Sequence, residues 1–214
     1  AIDNTLPYQG NTQTLFNAGV SSSVFFIDNT SATAVIAFPL GGAQRSALAI
    51  TSGTLADEFS GVKEAVLTLT YLSGNDTWYW DGSWSSGSIR TVASPAGTVG
   101  ALSSTWSYSG VPSGWTTGTV YKIEAKGNDV TGNTQQTGYP SVTWLYDVSV
   151  PTSAVTGPAA DGTFRSPANP LNSITGTVQD APAHSFAKTD EVLVAIKNFD
   201  DGVYWNGASW GAET

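Results

Sequence analysis

Glu64-Ala65-Val66-Leu67-Thr68-Leu69-Thr70-Tyr71 is the stretch whose reading decides the fold. Ala65, Leu67, Leu69 and Tyr71 alternate with Val66, Thr68 and Thr70, and a period of two marks a strand with one buried face. Tyr121, Ile123 and Ala125 alternate with Val120, Lys122 and Glu124 in the same way; Trp106 and Tyr108 share one parity, and so do Val142, Trp144 and Tyr146. Clusters of Gly, Pro, Asn and Ser separate these runs. About seven short strands in about 120 residues argue a sandwich. Residues 28–146 are therefore expected to form an antiparallel Greek-key β-sandwich almost free of helix, with Leu67, Leu69, Ile123 and Trp144 between its sheets.

Composition agrees with an all-β chain. Charged residues make up 12% of the 214, aromatics reach 11%, and Gly occurs 23 times, a balance poor in the residues that cover helix surfaces. Eight Lys and Arg against 17 Asp and Glu give a net charge of −9, which repels a phosphate backbone and sets nucleic acid aside as a partner. The absence of Cys removes disulfides, thiolate metal sites and a cysteine nucleophile. Without Met as well, the chain is resistant to oxidation, which suits an exposed surface. No apolar run approaches the roughly 18 to 20 residues that span a bilayer, so membrane insertion is not expected.

Working outward, the same stretch occurs again. Glu64 to Leu69 is matched by Glu191-Val192-Leu193-Val194-Ala195-Ile196, and Ile50 to Asp57 by Ile174 to Asp180. Tyr79-Trp80-Asp81-Gly82-Ser83-Trp84 is matched by Tyr204 to Trp210, and Gly10-Asn11-Thr12-Gln13 by Gly132-Asn133-Thr134-Gln135. Phe26-Ile27-Asp28 followed by Ala34-Val35 corresponds to Leu145-Tyr146-Asp147 followed by Ala154-Val155, with the two Asp residues 119 positions apart. A period of this size with one sandwich per period describes a bead-like array. Residues 1–27 are read as the end of a preceding module, 28–146 as a complete module and 147–214 as the first part of a following one. Joining the tail of one such chain to the head of another leaves that sandwich about two strands short, so the expectation is an excerpt of a longer tandem array.

The aromatic hairpin at Tyr79 to Trp84 and Tyr204 to Trp210, the stretch Ala125 to Asn133, and the Tyr146 to Pro151 linker together resemble the bacterial immunoglobulin-like repeats of very large secreted or cell-surface proteins. The resemblance implies immunoglobulin-like modules in tandem, an extracellular or cell-surface setting, and a structural or adhesive role in a fibre, filament or adhesin. Its implied partners are neighbouring modules of the same or identical chains. The first linker, Asp28 to Ala32, lacks the proline that stands at Pro151.

Candidate sites are few. His184 is the only imidazole and lies in a Pro- and Ala-rich stretch, so a Ser-His-Asp triad has little to draw on. Asp76, Asp81, Asp161 and Asp201 sit in turns whose backbone they serve, and no catalytic residue is assigned. Asn29-Thr30-Ser31 and Asn75-Asp76-Thr77 are sequons, read here as chance. Strand polarity sends Asp57, Glu58, Asp129, Asn133 and the linker residue Asp28 to one pole, where carboxylate and amide oxygens suit a calcium ion. Turn chemistry at Asp81-Gly82 places Tyr79 opposite Trp84. Trp80, Trp84, Trp205 and Trp210 offer flat faces for a sugar ring, and Trp115 with the Trp80–Trp84 hairpin is expected at the pole opposite the acids, as a contact for the next module. The competing reading is a carbohydrate-binding module with cell-surface glycans as partners, or an accessory domain of a secreted hydrolase.

Overall fold

The computed structural model describes residues 25–158, 171–181, 189 and 191–212. The chain is all-β, with no helix among the described residues. β3 (Thr51–Ala56) lies between β1 (Thr33–Phe38) and β8 (Ser103–Tyr108) in a three-stranded antiparallel sheet. The larger sheet runs in the order β2 (Ala43–Arg45), β10 (Ser141–Tyr146), β9 (Thr119–Asp129), β4 (Val62–Ser73), β5 (Asp76–Trp80) and β6 (Trp84–Ser86). β2 joins β10 in parallel, while the other ladders are antiparallel. One edge of the long strand β4 is divided: its last residues pair with β5, and Glu64 to Leu67 pair with β7 (Val92–Pro95).

The two sheets share one core, a β-sandwich-like arrangement. Leu67, Leu69, Ile123 and Trp144 are at most 1% exposed, on the parity that the sequence assigns to the inner face. Leu55, Ala34 and Trp106 meet them from the smaller sheet. The Trp106 ring fits because Gly53 lies beneath it: a Cβ there would be 1.8 Å from the Val35 carbonyl oxygen and 2.7 Å from the ring. Its indole Nε1 donates to the carbonyls of Val35 (3.2 Å) and Thr54 (3.3 Å), so this buried ring has its polar atom satisfied.

Beyond Asp147, β11 (Thr152–Gly157) pairs with β12 (Thr175–Gln179), and β13 (Tyr204–Trp205) with β14 (Trp210–Gly211). Several details recur from the first region. The β1–β3 ladder skips one residue between Ile36 and Phe38, and β11–β12 skips one between Val155 and Gly157. Gly176 stands against the Ala154 carbonyl as Gly53 stands against that of Val35. With Thr33 facing Ala56 and Thr152 facing Gln179, the register equates Ala34-Val35 with Ser153-Ala154. That is one residue away from the match suggested by the repeated Ala-Val dipeptide, because the ladder counts from Asp28 and Asp147 without the insertion which that match requires.

Candidate metal centre

Three chain segments deliver a carboxylate to the same pole. Asp28 precedes β1, Asp57 follows β3 and Asp129 ends β9; one carboxylate oxygen from each lies within 4.8 Å of the others. Asp28 closes a local turn, its Oδ1 accepting from the Thr30 amide (2.9 Å) and hydroxyl (2.7 Å) and its Oδ2 from the Ser60 amide (3.2 Å). Asp57 folds the β3–β4 loop around its Oδ2, which accepts from the amides of Phe59 (3.2 Å) and Gly61 (2.7 Å) and the Ser60 hydroxyl (3.4 Å). Gly61 takes a φ of 93°, and a Cβ there would meet Gly100 at 2.3 Å, so only glycine allows that amide to turn in. Asp129, fully buried, accepts from the amides of Gly132 (2.7 Å) and Asn133 (2.8 Å).

The unpaired atom is Asp57 Oδ1. It is buried with no hydrogen-bond partner, on a residue only 8% exposed. A buried carboxylate oxygen without a donor is costly. Two further carboxyls, those of Asp28 and Asp129, lie beside Asp57. Hydrogen bonds from Ser60, then Thr30, hold the Asp28 carboxyl below its ordinary 3.8. Burial pulls the Asp129 carboxyl up, but hydrogen bonds from Asn133, Thr131 and Gly132 outweigh it and leave that group low as well. Negative charge on Asp28 and Asp129 is thus held beside Asp57, whose Oδ1 lacks a hydrogen-bond partner. Calcium binds oxygen ligands at about 2.3–2.6 Å, so ligands on opposite sides stand up to about 5 Å apart; a spread within 4.8 Å fits that shell. An all-oxygen donor set suits a hard cation over a transition metal.

Of the five residues read as metal ligands, Asp28, Asp57 and Asp129 come together. Glu58 is exposed and outside the group. Asn133 acts as a tie: its Nδ2 reaches Asp129 Oδ2 (2.6 Å) and the carbonyls of Asp28 (3.2 Å) and Thr30 (2.9 Å), binding the linker to the β9 turn. Gln135 does a similar task that the sequence reading missed. Buried, it accepts through Oε1 from the amides of Ala34 (3.1 Å) and Gly127 (3.2 Å), joining β1 to β9. The repeated Gly-Asn-Thr-Gln string was the available signal. Its other occurrence, Gly10 to Gln13, lies outside the described residues, as does His184.

The aromatic residues are largely occupied inside the fold. Trp80 pairs with Trp84 across the hairpin and Tyr79 with Ser85, correcting the expected Tyr79–Trp84 pair: Asp81, Gly82 and Ser83 make a three-residue loop, shifting the register by one. The Trp84 ring contacts Trp80 (5.4 Å), Tyr71 (4.7 Å) and Tyr121 (5.8 Å), and the Trp80 indole donates to the Gly110 carbonyl at 2.8 Å. Trp115 is wedged against Tyr121 (4.7 Å), Trp144 (5.8 Å) and Tyr146 (6.2 Å), with its indole on the Leu48 carbonyl at 3.3 Å. Trp205 and Trp210 pack on each other at 5.5 Å and remain more open. No protein-family model matches the chain, and no curated protein matches it.

Proposed function

We propose that residues 28–146 are an immunoglobulin-like Greek-key module, non-catalytic, in a tandem array of a structural or adhesive protein at the cell surface or outside the cell, and that calcium fastens its entry linker. Residues 1–27 and 147–214 belong to the modules before and after it. The observation that carries the reading is that Asp57, whose Oδ1 is buried and unpaired, offers a carboxylate oxygen within 4.8 Å of carboxylate oxygens from two other segments, one of them the linker residue Asp28. A cation there would bridge linker, β3–β4 loop and β9 turn, so that the approach of the chain is fixed by ligation. Such a site has a mechanical use and no reacting atom. The packing of Trp80, Trp84 and Trp115 into the fold favours this reading over a sugar platform built on them.

The repeated register break, the paired close approaches of Gly53 and Gly176, and the matching turns at Asp28 and Asp147 support tandem modules. Asp147 Oδ1 accepts from the amide (2.8 Å) and hydroxyl of Ser149 as Asp28 Oδ1 accepts from Thr30. Isothermal titration of the chelator-treated chain with calcium tests the proposal. Heat with a stoichiometry of about one, lost in Asp57→Asn, is expected; no calcium heat at all overturns the metal reading.

A further inference from the structure

We infer that the outer face of the larger sheet carries a binding cleft for an acidic oligosaccharide, one whose sugar rings bear carboxylates. The inference stands apart from the calcium pole and from the tandem arrangement, because the cleft is built within residues 68–143.

Strand alternation builds it. The core takes Leu67 and Leu69 from β4 and Tyr121 and Ile123 from β9, so the residues between them face outward. The register then sets Tyr79, Thr70, Lys122 and Thr143 side by side on β5, β4, β9 and β10. Adjacent strands lie about 4.8 Å apart, which makes that row about 14 Å wide. Thr68 and Glu124 stand together in the next row. A cleft of about 700 Å³ opens over these rows, lined also by Ile89 from the β6–β7 connection and by Tyr139 just ahead of β10. The chain enters this region at Asp28, beside Asp129 at one end of β9, and leaves it at Asp147, bonded to Thr117 ahead of the other end. None of the residues that hold these two joints lines the cleft.

Three features of the cleft match a sugar acid. The first is a ring face. Trp78 and Trp80 turn onto Tyr71 (6.0 Å) and Trp84 (5.4 Å), whereas Tyr79 between them turns to the cleft and joins no ring stack among the described residues. A half-buried tyrosine ring, apolar on its face and polar at its tip, suits the C–H face of a pyranose. The second is the set of hydroxyls on Thr68, Thr70, Thr77 and Thr143, each able to donate to and accept from a sugar hydroxyl. The third is charge. Lys126 is held over the Tyr139 ring at 4.5 Å and pairs with no carboxylate among the described residues, because the acids beside it are engaged. Glu124, two positions before it, pairs with Lys122, and Glu64, diagonally across on β4, is held by Lys63 and Asn128. In a chain of net charge −9, the cleft thus sets two lysines against one glutamate. A carboxylate on the ligand gives Lys126 the charge-assisted bond it lacks. A nucleic-acid strand would bring far denser charge to a net-negative chain and is disfavoured.

Isothermal titration of the full chain with tetragalacturonate tests the inference. Chelator is present throughout, so that calcium neither occupies the pole nor bridges the ligand, and failure here leaves the metal reading untouched. Saturable binding that weakens as salt rises is expected. Lys126→Gln and Tyr79→Ala should each weaken it by about tenfold, and Thr70→Glu, which sets a carboxylate in the middle of the row, should abolish it. Lys63→Gln removes the same charge outside the cleft and should change nothing. Maltotetraose, of similar length without carboxylates, should bind at least about tenfold more weakly. An unchanged near-ultraviolet signal shows that each variant remains folded. Tetragalacturonate that gives no binding overturns the inference, and so does a loss in Lys63→Gln equal to that in Lys126→Gln. Equal binding of maltotetraose, or of oligothymidylate, overturns it as well, since the cleft would then not select a carboxylated sugar.

Discussion

Leu67 and Val194 occupy corresponding positions in corresponding strings, Glu64 to Leu69 and Glu191 to Ile196, yet one is fully buried and the other more than half exposed. The difference lies in the partner strands. β4 pairs along most of its length with β9, Leu67 facing Ala125 and Leu69 facing Ile123, and both lie against the smaller sheet. Among the described residues no strand comparable to β9 lies beside the segment around Val194, whose pairing there is the Lys197–Tyr204 bridge. An alternating pattern specifies which face a strand would bury; burial itself needs distant segments to arrive.

The largest expected effect exploits that contrast. Leu67→Ala removes a side chain from a filled core and should cost about 2–5 kcal/mol in denaturant unfolding followed by tryptophan fluorescence. Val194→Ala, made in the calcium-free chain at dilution, should stay within about 0.5 kcal/mol of wild type. Equal costs would break the comparison, placing Val194 in a core as complete as that around Leu67.

Much of this contrast was legible from the chain alone. The parity of Ala65, Leu67 and Leu69 gave the inner face of β4, and the strings at Asp28, Asp57 and Asp129 gave the three acids of one pole. Asn133 stands at the pole assigned to it, and there its amide nitrogen ties the linker to the β9 turn; an amide offers both a donor and an acceptor, and residue type does not say which end faces the acids. Glu58 differs from Asp57 by one position, and only loop geometry turns one inward and the other to solvent. The hairpin register was misread because Asp81-Gly82 is a two-residue turn signal embedded in a three-residue loop. Pattern reading locates strands well; it is weakest where one residue more or less rotates a side chain to the other face.

The second effect concerns the acids. Asp57 and Asp180 correspond, and Oδ1 of each is buried without a hydrogen bond, but among the described residues only Asp57 has two further carboxylates within reach. Calcium at a hundredfold excess over its dissociation constant should stabilise residues 28–146 by about 2.7 kcal/mol, read as a rise in melting temperature reversed by chelator. Asp57→Asn should abolish the rise and Asp180→Asn should leave it intact. Loss in both variants would mean that the two regions share one site.

A third test sharpens the comparison of the turns at Asp28 and Asp147. Burial raises the Asp147 carboxyl, but hydrogen bonds from Ser149, Thr117 and Gln44 more than offset it and hold the group below 3.8. A carboxyl with a folded value below its unfolded one stabilises the fold above the unfolded value and loses that contribution as pH falls through the folded one. Asp147→Asn should therefore lower stability at neutral pH by about 1–3 kcal/mol, the worth of hydrogen bonds to a charged, buried group. The gap between variant and wild type should narrow as the pH drops below about 3.8. A gap that is constant from neutral to acid pH would assign Asp147 a packing role instead.

The smallest effect comes from two tryptophan pairs of almost identical geometry. Trp80 and Trp84 lie 5.4 Å apart and Trp205 and Trp210 5.5 Å, with the same 59° between ring planes; Gly82 and Gly207 both have positive φ in the connecting loops. An aromatic pair is worth about 0.5–1.5 kcal/mol, and geometry this similar should give the two pairs nearly the same intrinsic coupling. Two close indoles also split their ultraviolet transition into an exciton couplet, visible in circular dichroism. Trp84→Phe and Trp210→Phe should each remove a couplet of the same sign and similar size. Their melting should differ. Trp84 is held by Tyr71 and Tyr121 as well as by its partner, so its couplet should vanish together with the main unfolding transition. In calcium-free, dilute chain the Trp205–Trp210 hairpin is backed, among the described residues, only by the short bridge at Lys197, and so small a sheet is marginal in water, so its couplet should fade gradually at lower temperature. If both couplets melt together in one sharp transition, the second hairpin already sits on a folded core and the contrast between the two regions fails at this point.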